Sequence, residues 1–347
     1  MDKHKRQNVA IVGGGPAGLM AAEVISRAST ASIELFDAMP SVGRKFLMAG
    51  KGGMNITHSE PFDAFLARYG ARREALAPML EAFGPEALRE WMRGLGVESF
   101  VGSSGRVFPK EMKAAPLLRA WLHRLREQAV RFHVRHRLTG LERLADGHYR
   151  LRFATPDGER QIEAHRVVLA LGGGSWAKLG SDGRWIGLLE QAGIPVAPLR
   201  PANCGFDTDW SPYLRERFAG QPVKSVGASV IDASGTEHRR QGEFVITDTG
   251  IEGGLIYALS AQLRDAIERD GSATLTLDLL PGYEARRVVD EVARPRGSRS
   301  LASHLQSRLG LKGVKMALLH ECLAREELDD PARLAQAIKA LPLRLIA

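Results

Sequence analysis

The chain has few residues of the kinds that cross-link a protein or hold a structural metal. Of its 347 residues only two are cysteines, Cys204 and Cys322, and no CxxC pair occurs. This argues against a disulfide framework and a structural zinc site, and we predict no metal site. Such cysteine usage is typical of a reducing compartment, so we expect a cytoplasmic protein.

Long apolar runs and nucleic-acid signatures are also missing. No stretch approaches the roughly 20 apolar residues that span a bilayer, and the basic start MDKHKRQN is not followed by the apolar core of a secretion signal. The formal net charge is +8, from 48 basic and 40 acidic residues, yet no RNA-binding motif with interleaved aromatics is present. We predict a small-molecule substrate and neither a nucleic acid nor a membrane as partner; the oligomeric state stays open.

Motifs for a self-sufficient catalytic apparatus are absent as well. The sequence contains no GxSxG, no HExxH and no complete Walker loop, because Lys51-Gly52-Gly53 lacks the required spacing. The ten histidines form no ligand pair at helical spacing, and His133 and His136 are expected on the surface of a strand. No catalytic acid, base or nucleophile can be assigned, so the catalytic residues stay unknown.

A glycine motif near the N-terminus is the strongest positive signal. The apolar run Val9–Val12 predicts a buried parallel strand and is followed by Gly13-x-Gly15-x-x-Gly18 and a helix of small and apolar residues. In a dinucleotide site the first glycine permits the turn, the second admits a pyrophosphate and the third lets the helix approach the strand. Asp37 ends the next predicted strand, 19 residues after Gly18, at a position that suits a ribose diol.

The region after residue 130 favours FAD over NAD as the dinucleotide. Asp146-Gly147 and Asp157-Gly158 are hairpin-type turns that predict a three-stranded antiparallel meander. The meander leads into an apolar strand, Val167–Leu171, which ends in three glycines. This is the organisation of glutathione-reductase-like FAD domains. No second GxGxxG follows, because Ala177 stands where its last glycine is needed.

Several segments resemble, in order, the blocks of one bacterial family of NAD(P)/FAD-dependent oxidoreductases, the BaiN-like and aminoacetone-oxidase-like flavoproteins. These segments are VGGGPAGLMAA, GRKFLMAGKGGMNITHSE, GRVFPKEMKAAPLL, VVLALGGGSWAKLGSDGRW with LLEQAGIPVAPLRPA, and GEFVITDTGIEGGLIYALS. The resemblance runs from Asn8 to about Leu280, and its second and third blocks are the most specific.

The resemblance implies an α/β fold in three parts. A glutathione-reductase-like Rossmann FAD domain with a β-meander crossover is expected over residues 1–200, an inserted β-rich substrate-side domain over 201–283, and a small helical subdomain over 284–347. Family members continue with an AGE…D…GGY block that completes the FAD domain. Because this chain ends at ALPLRLIA, we expect its FAD site to lack one wall.

The resemblance also implies which residues hold the FAD. Around the pyrophosphate and ribose it places the segment Gly13, Gly15, Pro16, Ala17 and Gly18 together with Asp37, Arg44 and Lys45. Beside the flavin ring it places Gly50, Gly52, Gly53 and Asn55. It places Leu138 at the adenine, and Ala170, Gly172 and Gly173 along the cofactor. In the β-rich domain Thr247, Thr249 and Tyr257 are candidates for contact with substrate.

Three functions stay open. The wording of the second block favours an FAD-dependent oxidase of aminoacetone-type primary amines that releases hydrogen peroxide. The first alternative is a flavin reductase of conjugated ketones that uses NAD(P)H as reductant. The second, from another class, is a truncated, non-catalytic nucleotide-binding protein, as the missing final block would imply.

Overall fold

The computed structural model describes residues 7–48 and 53–347. The chain divides into two compact units, the first ending at Leu199 and the second running from Arg200 to Ala347. Each unit has its own hydrophobic core. Within the described ranges no helix is both long and apolar enough to cross a membrane.

The first unit mixes parallel and antiparallel sheets with helices. Its strands are Asn8–Val12 (β1), Ser32–Phe36 (β2), Thr57–His58 (β3), Ser99–Val101 (β4), Arg106–Pro109 (β5), Arg131–His133 (β6), Arg137–Arg143 (β7), Tyr149–Thr155 (β8), Gly158–Ala164 (β9) and Arg166–Leu169 (β10). Its α-helices are Pro16–Ala28 (α1), Arg44–Met48 (α2), Phe62–Ala67 (α3), Arg73–Ala82 (α4), Pro85–Arg93 (α5), Ala114–Glu127 (α6) and Trp185–Gln191 (α7).

A parallel sheet carries the glycine motif, as the sequence predicts. Its strands lie in the order β10-β1-β2-β6, and Ile11 stands opposite Leu35 on one side and Val168 on the other. Four of the five residues of β1 are buried because the strand lies between two others beneath helices. The apolar strand predicted over Val167–Leu171 is only partly buried, since β10 lies at the edge of this sheet.

The predicted meander is confirmed: β7, β8 and β9 form a three-stranded antiparallel sheet. Its turns contain Gly147 and Gly158, whose φ angles of 82° and 112° favour glycine. The segment that starts at Arg106 forms the strand β5. There β5 pairs with both β3 and β4, and its Val107 is fully buried.

A buried carboxylate joins three helices of the first unit. Glu23 of α1 is 1% exposed and accepts hydrogen bonds from the indole nitrogens of Trp91 (3.0 Å) and Trp121 (2.7 Å) and from Arg124 (2.8 Å). Arg27 pairs with the same carboxylate at 2.7 Å. Burial alone would raise the pKa of Glu23, but these hydrogen bonds and charges outweigh it and hold the pKa below its usual value.

The second unit is built on one large antiparallel sheet covered by helices. Its strands are Phe206–Asp207 (β11), Pro222–Ile231 (β12), Glu237–Ile246 (β13), Gly250–Glu252 (β14), Ala273–Asp278 (β15) and Leu341–Leu345 (β16). Its helices are Pro212–Phe218 (α8), Gly254–Tyr257 (α9), Ser260–Asp270 (α10), Ala285–Val292 (α11), Leu301–Leu309 (α12), Val314–Cys322 (α13), Arg325–Asp329 (α14) and Pro331–Lys339 (α15).

The sheet of the second unit includes the end of the chain. Its strand order is β11-β14-β13-β12-β15-β16, so β16 pairs with β15. The range 284–347, predicted as helical, therefore contains a strand as well as five helices. One hydrophobic core takes residues from this range and from 201–283 alike.

Candidate functional site

A cavity of about 370 Å³ lies at the carboxyl ends of the parallel strands in the first unit. Val12, Phe36 and Ala170, at the ends of β1, β2 and β10, form its floor. Ligands of open α/β sheets bind at this edge, where loops leave neighbouring strands. We call it the first cavity.

The three glycines of the motif have different surroundings. A Cβ on Gly13, whose φ is +111°, would lie 2.1 Å from the carbonyl oxygen of Ala170, and one on Gly18 would lie 1.8 Å from that of Gly13. Both positions therefore require glycine for the packing of loop, helix and strand. A Cβ on Gly15 would meet nothing within 4 Å. Since Gly15 lines the cavity, its missing side chain leaves room for a ligand to approach the backbone.

The start of α1 also faces this cavity. Gly15 is the N-cap and Pro16 the first helical residue, and no side chain caps the first turn. The unpaired amide groups of a helix start, with the positive end of its dipole, attract phosphates. The placement of a pyrophosphate at the start of α1 stays a prediction, and the geometry here leaves room for it.

Asp37 sits at the end of β2 and is tied to the glycine loop. Its Oδ2 accepts a hydrogen bond from the amide of Gly14, and its Oδ1 from the amide of Met39, both at 2.7 Å. Burial raises the pKa of Asp37 above its ordinary value, although these hydrogen bonds and the charge of Arg44 act in the opposite direction. The carboxylate lines the cavity and keeps lone pairs for ribose hydroxyls.

Three buried polar atoms around the cavity have no hydrogen-bond partner within the described residues. They are Nε of Arg44, Oγ of Ser181 and Nε1 of Trp185. Buried donors are almost always satisfied in folded proteins, so three unsatisfied donors on one cavity indicate a polar ligand with several acceptors. The phosphate, hydroxyl and ring oxygens of FAD fit this requirement.

Ser181 and Trp185 are residues that sequence reasoning missed. They belong to the turn and helix after the triple glycine, where Gly180 and Gly183 have φ angles of 89° and 70°. Asp182 in the same turn pairs with Arg137 of β7 at 3.2 Å, which ties this segment to the meander. The only sequence signal was the second glycine-rich turn, GSDG, within a block that many flavoproteins share.

His133 and His136 were expected on the surface, but both are half-buried. The ring of His133 stacks on Phe36 at 4.6 Å, and Phe153 stacks on that phenylalanine at 4.5 Å. Arg160 lies within 3.3 Å of both histidine rings, and His136 lines the cavity. Burial lowers the pKa of His133. The meander closes over the parallel sheet here, which period-two alternation alone does not reveal.

The first cavity brings together most of the site residues expected from the sequence. Those that line it are Gly13, Gly15, Pro16, Asp37, Arg44, Lys45, Leu138, Ala170, Gly172 and Gly173. Ala17 and Gly18 lie within α1 and do not line it. Gly50 and Gly52 lie outside the described residues.

Gly53 and Asn55, expected beside the flavin ring, do not line this cavity. A Cβ on Gly53 would lie 2.5 Å from Cε of Met112. The side-chain amide of Asn55 donates to the carbonyl oxygens of Thr57 (2.7 Å) and Val107 (3.2 Å). Both residues are thus engaged in packing their own loop against β5.

The substrate candidates in the second unit take part in local structure. Oγ1 of Thr247 accepts from the amide of Gly250 at 2.9 Å, and Oγ1 of Thr249 donates to Asp207 at 2.5 Å. The first bond fixes the turn between β13 and β14, and the second ties this turn to β11. Their hydroxyls are therefore explained by the fold, and a role at a substrate stays a prediction.

Curated relatives of the chain include a reductase and a synthase. The chain is 29% identical over 285 residues to 3-dehydro-bile acid delta(4,6)-reductase of Clostridium scindens, covering 81% of this chain and 66% of that protein. It is 22% identical over 308 residues to ribosomal RNA dihydrouridine synthase of Haemophilus influenzae, covering 88% of this chain and 72% of that protein. The chain thus spans about two thirds of the length of the first of these relatives.

A solved structure extends the comparison over almost the whole chain. The match is to a 3-ketosteroid-delta4-(5alpha)-dehydrogenase from Rhodococcus jostii RHA1. It covers 99% of this chain and 84% of that protein's chain, with a TM-score of 0.47 and 14% identity.

A family model identifies the chain more directly. The model described as the HI0933-like protein Rossmann domain matches residues 7–321. That range contains the glycine loop, the meander and every cavity-lining residue named above. The resemblance stated from the sequence is thereby confirmed, and the chain belongs to the HI0933-like Rossmann-domain family.

Proposed function

We propose that this protein is an FAD-dependent reductase of carbon–carbon double bonds conjugated to a carbonyl group. The observation that supports FAD most strongly is the first cavity, where the open Gly15 and three unsatisfied buried donors face one space. The choice of reductase rests on the names of the two curated relatives.

In this proposal, different residues of the first cavity bind different parts of the FAD. The backbone at Gly15 and the start of α1 would hold the pyrophosphate, and Asp37 would accept hydrogen bonds from the adenosine ribose. Arg44 would contribute charge near the phosphates, and Ser181 and Trp185 would donate to acceptors of the cofactor. When bound, FAD supplies hydride-transfer chemistry; the chain supplies binding and orientation.

The two relatives carry names that describe related chemistry. A delta(4,6)-reductase of a 3-dehydro-bile acid saturates ring double bonds next to a ketone. A dihydrouridine is a uridine whose ring double bond, also next to a carbonyl, has been saturated. An alkene polarised by a carbonyl is a suitable acceptor for a hydride. We therefore extend this reaction class, and not either particular substrate, to the present chain.

Oxidation of aminoacetone-type amines is the competing hypothesis from the sequence. It rests on the wording of the block from Arg44 to Glu60, of which residues 49–52 lie outside the described structure. The two relatives do not support it. A purely nucleotide-binding protein without catalysis is the further alternative, and turnover separates it from both enzymes.

The test uses the purified, FAD-reconstituted protein. Under anaerobic conditions we expect NADPH or dithionite to bleach the flavin absorbance, and a conjugated cyclic ketone to restore it with formation of the saturated ketone. Uridine and a steroid enone serve as separate arms. Reoxidation by none of these acceptors, together with hydrogen peroxide release on aerobic addition of aminoacetone, would overturn the reductase proposal in favour of the oxidase. A flavin that dithionite reduces, but with which no conjugated ketone, uridine or aminoacetone is converted, would favour a non-catalytic protein.

A further inference from the structure

A second cavity, of about 490 Å³, lies elsewhere in the first unit. Its floor is the segment from Asn55 to His58 with Arg106 of β5, and its walls come from α3, α4 and the start of α5. Cavities of several hundred cubic ångströms suit small-molecule ligands. Of its lining residues only Asn55 was expected at the FAD, and the FAD contacts proposed above do not use it.

One wall of this second cavity is aromatic. Phe65, Tyr69 and Phe83 line it, and the rings of the first two meet edge to face at 6.0 Å. Tyr69 and Phe83 remain 39% and 40% exposed. Exposed aromatic rings that border a cavity offer flat surfaces on which a planar ligand can stack.

One cation of the cavity, Arg106, has no side-chain partner among the described residues. Arg68 lines it but is held by Glu60, with contacts of 2.5 and 3.0 Å. His58 already engages both ring nitrogens, with the carbonyl of Ser104 (3.0 Å) and the amide of Glu60 (3.2 Å). For the guanidinium of Arg106 the described residues provide no ion pair or hydrogen bond. An arginine in this state is suited to phosphate, which it can bind in a bidentate manner.

An amide oxygen completes the set of groups. Asn55 donates two hydrogen bonds from its Nδ2 to backbone carbonyl oxygens. The other atom of the amide, Oδ1, can therefore accept a hydrogen bond from a ligand. No hydrogen bond to this Oδ1 arises from the described part of the chain. An acceptor beside an aromatic wall can accept a hydrogen bond from a ring N–H or an amino group of a flat heterocycle.

Charge favours an anionic occupant. The first unit contains 28 basic and 20 acidic residues, whereas the second contains 20 of each, so the formal net charge of +8 belongs to the first unit. A rigid apolar skeleton such as a steroid would leave Arg106 and the Asn55 amide oxygen desolvated without partners. A ligand with a flat ring and a phosphate would satisfy both.

We propose that the second cavity is a nucleotide-binding site. The ring of the nucleotide stacks on Tyr69 and Phe83 and donates a hydrogen bond to Asn55, and its phosphate pairs with Arg106. The proposal goes beyond the reductase function, because the FAD belongs to the first cavity. A free dinucleotide such as NADP⁺ and a pyrimidine mononucleotide share this chemistry, and the experiment distinguishes them.

The test is calorimetric titration of the FAD-loaded protein with NADP⁺, AMP, UMP and inorganic phosphate. At least one nucleotide should bind, and phosphate alone should bind at least about tenfold more weakly, because it lacks the stacked ring. The variants Arg106→Gln and Tyr69→Ala should each weaken nucleotide binding by about tenfold or more. Both side chains are exposed, so thermal unfolding should be nearly unchanged.

Arg93→Gln is the matched control. Arg93 is an exposed arginine of α5 that does not line the cavity, so its loss should leave nucleotide affinity unchanged. Tightest binding of NADP⁺ identifies a reductant site, and tightest binding of UMP a site for a substrate nucleotide. Absence of nucleotide binding at millimolar concentration, equal binding by the Arg106→Gln and wild-type proteins, or binding of a bile-acid carboxylate alone would each overturn the proposal. The titration is repeated without FAD in the Gly15→Ala variant, in which the first cavity is impaired. Nucleotide binding that persists there supports the second cavity whether or not the reductase proposal holds.

Discussion

Replacing Gly15 by alanine should weaken FAD binding without unfolding the protein. Gly15 has φ −79° and ψ −178°, an extended conformation open to any residue. An added Cβ meets no atom of the chain within 4 Å. The new methyl group would instead occupy space in the first cavity, where we place the pyrophosphate.

The expected change in stability is small because two effects oppose each other. Exchanging glycine for alanine at an N-cap destabilises a helix by about 0.5–1 kcal/mol. Restricting the unfolded chain by the same exchange stabilises the protein by about 0.4–1 kcal/mol. The free energy of unfolding of the FAD-free protein should therefore change by no more than about 0.5 kcal/mol.

The expected change in affinity is larger. A methyl group forced into an occupied contact destabilises by about 1–3 kcal/mol. This corresponds to a rise in the dissociation constant of FAD of about 5- to 150-fold. Quenching of flavin fluorescence during titration of the FAD-free protein measures it, and urea unfolding measures stability in the same preparation.

Gly18→Ala is the comparison that gives the experiment its meaning. Its Cβ would lie 1.8 Å from the carbonyl oxygen of Gly13, far inside contact distance. Helix α1 would have to move away from the strand, and we expect a loss of about 3 kcal/mol or more, or failure to fold. Unchanged FAD affinity in a stable Gly15→Ala variant would refute the assignment of the first cavity to the pyrophosphate.

Three further changes test other parts of the first unit. Glu23→Ala should lower the free energy of unfolding by about 3–5 kcal/mol in urea, because it leaves the buried indole and guanidinium groups unpaired. The raised pKa of Asp37 means that protonation of this carboxyl stabilises the folded protein; this stabilisation is complete below the ordinary pKa of 3.8 and is lost as the pH rises through the folded pKa. The stability of the FAD-free Asp37→Asn variant, relative to wild type, should therefore increase over that pH range. A difference in stability that does not change with pH would contradict this. Trp185→Phe should leave the FAD-free protein at least as stable while weakening FAD by about 2- to 12-fold, the worth of one neutral hydrogen bond; equal FAD affinity would exclude the indole as a donor to the cofactor.

Local signals made the architecture of the first unit predictable. The spacing of Gly13, Gly15 and Gly18 reflects packing between adjacent segments of chain, and the distances to Ala170 and within the loop bear this out. Asp-Gly pairs set the meander because their turns need positive φ angles. In the meander turns, and in the contact of Gly18 with Gly13, the cause and its effect lie within a few residues of one another in the sequence; only the contact of Gly13 with Ala170 joins distant segments.

Features that depend on distant parts of the chain were not predictable. Ser181 and Trp185 reach the first cavity from a segment more than 140 residues beyond Asp37, and neither residue type marks a cofactor site by itself. The strand Leu341–Leu345 is short and contains Pro342, which argues against a central strand. It is tolerated because β16 lies at the edge of its sheet.

The bond between Asp37 and the amide of Gly14 has a consequence for altering cofactor preference. The acid that would read the ribose also holds the loop that would receive the phosphates, so one substitution changes recognition and loop shape together. A variant library that randomises position 37 alone would therefore sample mostly damaged loops. A Cβ at position 14 would lie 2.4 Å from Cγ1 of Val42, so a side chain there cannot compensate. Redesign towards another dinucleotide should instead keep at position 37 an acceptor for the amide of Gly14.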